Sequence, residues 1–162
     1  MINIGLGLVE SLKEITERAG AEIMKVYDTN FKIEIKSDAS PVTVADKVSE
    51  ALILRSIREG ITDKFPIVSE EAATEGNIPH VKNIPFWLVD PLDGTKEFIK
   101  RNGEFTVNIA LIENNAPVLG IIHAPAKNQT YWGSPHGCYT QKGRNQPIKI
   151  SCRKFLCSNI KA

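Results

Sequence analysis

The stretch WLVDPLDGTKEF, residues 87–98, governs how the rest of this 162-residue chain is read. An apolar run stops at Asp90, and Pro91, a second acid at Asp93, then Gly94 and Thr95 follow at once. Proline has no N–H for a central ladder, and Asp-Gly favours a tight reversal, so the chain is expected to leave its strand and turn at Pro91. Such a turn can aim the Asp90 and Asp93 carboxylates, and the Leu92 carbonyl between them, at one point. Three oxygens carrying at least two charges suit a hard divalent cation such as Mg²⁺. Without a cation the two acids would repel, and one would tend to hold a proton. Gly94-Thr95-Lys96 is expected to open a short helix whose free N–H groups and dipole seat an anion. Gly94 lets a ligand come close to the backbone. Cation ligands beside a phosphate seat point to metal-assisted hydrolysis of a phosphate ester.

Upstream, FWLV (86–89) and FPIVS (65–69) read as short buried strands, the second delivering Glu70 and Glu71 at its end. Residues 44–59 have helical spacing (Val44, Val48, Ala51, Leu52), with Asp46 in the opening turn and Gly60 as C-cap. Residues 4–28 form another helix, with Leu8, Leu12, Ile15, Ala19, Ile23 and Val26 along one stripe. FKIEIK (31–36) alternates as a strand, SDASP (37–41) is a loop, and so is 72–85. Downstream, 105–113 and 118–125 flank ENNAP as a β-hairpin, and QTYWG, GCYT and QPIKI add strands. Two early helices followed by mostly antiparallel strands define an α+β class: a layered α/β sandwich.

Each acid also has a plain structural reading. Thr43 and Asp46 match a T-x-x-D capping box, DPLDG can be a surface turn, and Glu70-Glu71 can be a solvated pair. His80, His123 and His136 lack ligand spacing, and Lys96, Lys100 and Arg101 read as an exposed helix face. Rival sites fail on spacing. With Asp90 as position 1, an EF-hand would need oxygen ligands where Leu92 and Gly94 stand. The D-x-D-G-T signature of haloacid-dehalogenase phosphatases has its acids two apart; here they are three apart. No GxxxxGK[ST] is present.

Composition is ordinary for a soluble protein: 42% hydrophobic, 24% charged, net charge +1. That balance gives no argument for a nucleic-acid partner. Three cysteines (Cys138, Cys152, Cys157) without a CxxC pair argue against a disulfide framework or zinc site, so a reducing cytoplasm is the expected compartment. The N-terminal residues lack a basic leader, and no apolar run reaches membrane-spanning length.

SDASPVTVAD, PIVSEEAA and WLVDPLDGTKEF together resemble three N-terminal signatures of the inositol-monophosphatase superfamily, which are magnesium-dependent phosphatases. The run from DPLDGTKEF to IIHAP is similar to the bacterial 3′(2′),5′-bisphosphate nucleotidases, the CysQ type, in which KEF follows DGT. The resemblance covers about residues 5–150. It implies that Glu70, Asp90, the Leu92 carbonyl and Asp93 are metal ligands, with Asp90 bridging two ions. It implies that Glu70, Leu92, Asp93, Gly94 and Thr95 contribute to substrate binding, with Gly94 and Thr95 holding phosphate through backbone N–H groups. Asp46 and the Thr95 hydroxyl would orient a metal-bound water for in-line attack, Glu70 would share in catalysis, Glu71 would stand behind the ligands or reach a further ion, and Lys36 would lie nearby. The implied substrate is adenosine 3′,5′-bisphosphate, hydrolysed to AMP and phosphate. Inositol monophosphate and fructose bisphosphate are the alternatives within the superfamily, and the resemblance leaves room for peripheral inner-membrane association.

Members of this family carry a later WDxAA-like segment whose Asp completes the second metal site. Neither Trp87 nor Trp132 is followed by Asp. Residues 1–150 are therefore expected to be the metal- and phosphate-binding domain, residues 151–162 an atypical tail, and the C-terminal domain missing. Such a chain should bind fewer Mg²⁺ ions than relatives do, turn over little substrate and be prone to self-association, or persist only as a non-catalytic remnant.

Overall fold

The computed structural model describes residues 4–35, 41–74 and 76–152. Lys36, most of the SDASP loop and the tail from 153 onward, including Cys157, lie outside the described residues.

Helix α1 (Leu6–Tyr27) buries Val9, Leu12, Ile15, Ala19 and Ile23, a stripe at the expected helical spacing. Strands β1 (Ile33–Ile35) and β2 (Pro41–Thr43) pair antiparallel as a small separate ribbon, so Pro41 belongs to a strand rather than to the loop. Helix α2 (Val44–Gly60) follows directly and packs against α1. Its buried face differs from the expected one. Val44 and Val48 are largely exposed, while Ala45, Asp46, Ser49, Ile53 and Ile57 face inward. The buried face is partly polar, and a purely apolar reading therefore picked the neighbouring row. Gly60 is still helical, and Ile61 is the cap.

Strand β3 (Ile67–Ser69) runs parallel to β4 (Phe86–Asp93). Between them Glu70–Thr74 forms a short helix, α3, so Glu70 and Glu71 open a helix rather than end a strand. Ser69 accounts for this, because its Oγ accepts from the Ala72 N–H at 3.3 Å, as an N-cap does. The chain then passes through β4 to α4 (Thr95–Ile99), β5 (Thr106–Glu113), β6 (Ala116–Ala124), β7 (Gln129–Ser134), β8 (Gly137–Lys142) and β9 (Ile148–Ile150). One sheet has the order β3-β4-β5-β6-β7-β8-β9, antiparallel from β4 onward. The β5–β6 turn is Asn114-Asn115, both at positive φ (51° and 60°). That suits a two-residue hairpin, with Ala116 already paired to Glu113.

Helices α1 and α2 cover one face of this sheet. Trp87, Val89, Val107, Ile109, Leu111, Leu119 and Ile121 point into that layer and form the core. The α+β layered reading, two helices on a mainly antiparallel sheet, describes the molecule. The opposite face carries Leu88, Ile122 and Tyr131 at 44%, 47% and 43% exposure. None of the helices of the described residues is long and apolar enough to cross a membrane.

Candidate metal and phosphate site

Pro91 does not end β4. Asp90 pairs with Asn108 and Asp93 with Thr106, so three steps along β4 match two along β5. The extra residue makes a bulge at Pro91-Leu92, a place where a sheet tolerates proline. β3 stops opposite Val89, so past that point no strand among the described residues pairs with β4 on that side and needs the missing N–H. The turn comes later, at Gly94, with φ 94° and ψ 40°. A Cβ on Gly94 would meet the Glu104 carbonyl oxygen at 3.0 Å and Phe105 Cα at 3.3 Å, so both conformation and space require glycine.

Helix α4 starts there, pinned by Phe98, which sits among Tyr27, Phe31 and Phe105 with ring centroids 4.8–5.2 Å apart. Lys96 and Lys100 are exposed as expected. Arg101 is not part of an exposed helix face. It takes φ 57°, places its guanidinium over the Tyr27 and Phe31 rings, and donates to the Tyr27 and Thr29 carbonyls. With only five residues, α4 has little macrodipole. What it brings to an anion is the set of free N–H groups of its first turn.

Three side chains of α2, at i, i+3 and i+4, tie the site to the helix layer. Asp46 accepts from Thr95 Oγ1 at 3.2 Å, Ser49 Oγ donates to the Pro91 carbonyl at 2.8 Å, and Glu50 accepts from Ser69 Oγ. Asp46 is also the capping-box acid: its Oδ2 accepts from the Thr43 N–H at 2.7 Å and the Thr43 hydroxyl at 2.8 Å. The capping-box reading therefore holds for one carboxylate oxygen, while the other reaches Thr95 in the candidate site. Burial pushes the Asp46 carboxyl upward, against these hydrogen bonds. Ser49, Glu50 and Asn108 were not singled out in the sequence. The helical spacing from Asp46 was a signal for the first two.

Asp90 lies against Glu70 at the start of α3 and near Asp93. Its carboxyl is pushed up to about 7, first by burial, then by the charges of Glu70 and Asp93; the Leu92 N–H pulls the other way. Asp90 Oδ1 is buried and has no hydrogen-bond partner. Among the described residues no three His, Cys, Asp or Glu side chains close around one point as a ready ion cage. The arrangement is instead two acid pairs that share Asp90, with the Leu92 carbonyl between them. An orphaned carboxylate oxygen among like charges fits a divalent cation, which would remove the repulsion. Asp46, Glu70, Asp90, Leu92, Asp93, Gly94 and Thr95 are thus brought to one end of the sheet. Glu71 follows Glu70 on α3, half-buried.

The remaining titratable candidates lie elsewhere. His123 is buried, its Nδ1 2.9 Å from Thr130 Oγ1, and burial alone lowers its pKa to about 4. His136 Nε2 donates to the Ile4 carbonyl at 2.9 Å, and His80 is exposed.

A sheet with two helices on one face, and acids gathered where β3, the β4 bulge and α4 meet, matches the fold of inositol monophosphatases of known structure. The inositol monophosphatase family model matches residues 8–161, and the chain belongs to that family. It is 46% identical over 130 residues to the 3′(2′),5′-bisphosphate nucleotidase CysQ of Salmonella typhimurium, covering 78% of this chain and 52% of that protein. It is 44% identical over 127 residues to the CysQ of Escherichia coli K12, covering 76% and 50%. Among solved structures, CysQ from Bacteroides thetaiotaomicron aligns with TM-score 0.66 and 35% identity, over 91% of this chain and 55% of that one. Inositol monophosphatase from Anabaena aligns with TM-score 0.69 and 29% identity, over 90% and 50%. The chain spans about half the length of the curated relatives it matches.

Proposed function

We propose that residues 1–150 are the cation- and phosphate-binding part of a Mg²⁺-dependent phosphomonoesterase that removes the 3′-phosphate of adenosine 3′,5′-bisphosphate. The observation that carries the reading is Asp90: a partnerless buried oxygen on a carboxylate beside Glu70 and Asp93, two residues before the Leu92 carbonyl. The similarity to CysQ proteins supports the choice of substrate.

In this reading Glu70, Asp90, Asp93 and the Leu92 carbonyl hold the cation. Bound Mg²⁺ supplies charge neutralisation on the phosphate and makes the attacking water more acidic. The Thr95 hydroxyl has one hydrogen and two acceptors in reach, Asp46 Oδ1 at 3.2 Å and the Leu92 carbonyl at 3.3 Å. When the Leu92 carbonyl is engaged, the hydrogen goes to Asp46, and the Thr95 oxygen turns its lone pairs toward the water and orients it. Backbone N–H groups of Gly94 and Thr95 hold the phosphate. Water attacks phosphorus, the bond to the ribose 3′-oxygen breaks, and the proton given up by the water goes to that leaving oxygen. Positioning and charge neutralisation are most of what phosphoryl transfer asks of a protein.

A small phosphate ester as partner and a cytoplasmic location belong to the same reading. The exposed apolar sheet face favours a second one, in which the chain associates with itself. The test is a thermal melt with and without Mg²⁺, then phosphate release from adenosine 3′,5′-bisphosphate, inositol monophosphate and fructose 1,6-bisphosphate. A Mg²⁺-dependent rise in melting temperature that Asp90→Asn removes, with the adenosine ester cleaved fastest, is expected. No Mg²⁺ response, or faster cleavage of either sugar phosphate, overturns it.

A further inference from the structure

Asn108 stands beside the acids without having a role in the reading above. Antiparallel pairing sets it directly across from Asp90, and side chains of such a pair lie on one face of the sheet, with Cβ atoms about 4.5–5.5 Å apart. The bulge at Pro91-Leu92 then brings Asp93 back within its reach. Asn108 Nδ2 donates to Asp93 Oδ2 at 3.0 Å. Its own Oδ1 is buried with no hydrogen-bond partner, as is Asp90 Oδ1 across the strand pair. Among the described residues, the neutral Asn108 amide is the side chain that steadies Asp93.

We propose that Asn108 is a positioning residue for Asp93. Its amide N–H occupies one Asp93 oxygen and fixes the carboxylate's orientation, leaving the other oxygen for a divalent cation. The chemistry follows from the inventory: a carboxylate in place of Asn108 could not donate, and a lysine would compete with the cation for the same acids. Partners behind metal ligands tune affinity by fixing the ligands' geometry. This inference rests on the cation reading of the preceding section.

The test uses the full 162-residue chain and Mn²⁺ alone, titrated at pH 7.5 with free ion read by electron paramagnetic resonance. Wild type, Asn108→Leu, Asp93→Asn, the double variant and Asp90→Asn are compared. Asn108→Leu keeps the branched heavy-atom skeleton and loses both polar functions. It is expected to weaken Mn²⁺ binding about tenfold to a hundredfold. The cation-free melting temperature should stay close to wild type, which a merely structural role would not allow. The double variant should bind no worse than Asp93→Asn alone, because Asn108 acts through Asp93. Wild-type affinity in Asn108→Leu, or losses that multiply in the double variant, overturns the inference and leaves the cation reading standing. Absence of any Mn²⁺ binding sensitive to Asp90→Asn overturns both.

Discussion

Asp46 Oδ1 accepts a hydrogen bond from Thr95 Oγ1 at 3.2 Å, joining the first turn of α2 to the first turn of α4 across 49 residues of sequence. The other oxygen of the same carboxylate closes the capping box with Thr43. One buried acid therefore starts a helix and holds the hydroxyl of a residue in the candidate site.

That division separates two variants. Asp46→Ala removes both contacts and should cost about 1–2 kcal/mol, mostly through the lost cap. Thr95→Val leaves the cap in place and should cost less than about 1 kcal/mol. Urea unfolding checks both. Whatever phosphate release wild type shows should fall about a hundredfold or more in Thr95→Val, because its water loses the oxygen that orients it.

The acid cluster sets a pH dependence. The Asp90 carboxyl moves from its ordinary value of 3.8 up to about 7 on folding, so the folded chain holds the proton more tightly than the unfolded one. Its contribution to stability is complete below about pH 4 and is lost as pH rises through 7. Mg²⁺ competes with that proton. The rise in melting temperature on adding Mg²⁺ should therefore be larger at pH 8 than at pH 5.5, and Asp90→Asn should flatten both dependences. Equal Mg²⁺ shifts at the two pH values would contradict the assignment.

His123 works in the opposite direction. Burial lowers its pKa from 6.5 to about 4, so the fold favours the neutral ring. The stability it contributes is present above about 6.5 and is lost as pH falls toward 4, by up to about 3 kcal/mol. Unfolding curves of wild type and His123→Asn between pH 4 and 7 should converge as pH drops. The ring also touches the place where a Cβ on Gly20 would stand, 2.8 Å from Cδ2, so α1 and β6 are close-fitted there.

Gly94→Ala should destabilise by about 1–3 kcal/mol, since φ 94° and a Cβ 3.0 Å from the Glu104 carbonyl both oppose it. Gly7→Ala is the control, because a Cβ there meets nothing within 4 Å. Differential scanning calorimetry of the two variants should show a clear drop for the first alone.

The exposed sheet face should make the chain associate. Leu88, Ile122, Tyr131 and Ile150 lie along a hollow of about 530 Å³ that Asp90 and Asn108 border. Light scattering should rise with concentration, with little dependence on salt, and Leu88→Lys with Ile122→Lys should suppress it. A monodisperse monomer across that range would contradict the expectation.

The sequence by itself determined the elements whose signals are local. Periodicity along α1, alternation in β5 and β6, and the paired asparagines of their turn are set by neighbours in the chain. The acids that gather were also legible, because DPLDGT and SEE are chemically unusual where an apolar strand ends. Tertiary structure decided what depends on partners far along the chain. Pro91 was expected to force a turn. Instead β4 bulges and continues, because β3 has already stopped beside it and β5 accepts the extra residue. The buried face of α2 was misjudged because Asp46, Ser49 and Glu50 point inward to Thr95, Pro91 and Ser69, contacts that apolar spacing cannot reveal. Asn108 looked like an ordinary strand residue until register set it across from Asp90 and the bulge returned Asp93 to it. The physical reason is the same each time: a polar side chain's place is fixed by the partner that satisfies it, and here those partners are 15 to 49 residues away.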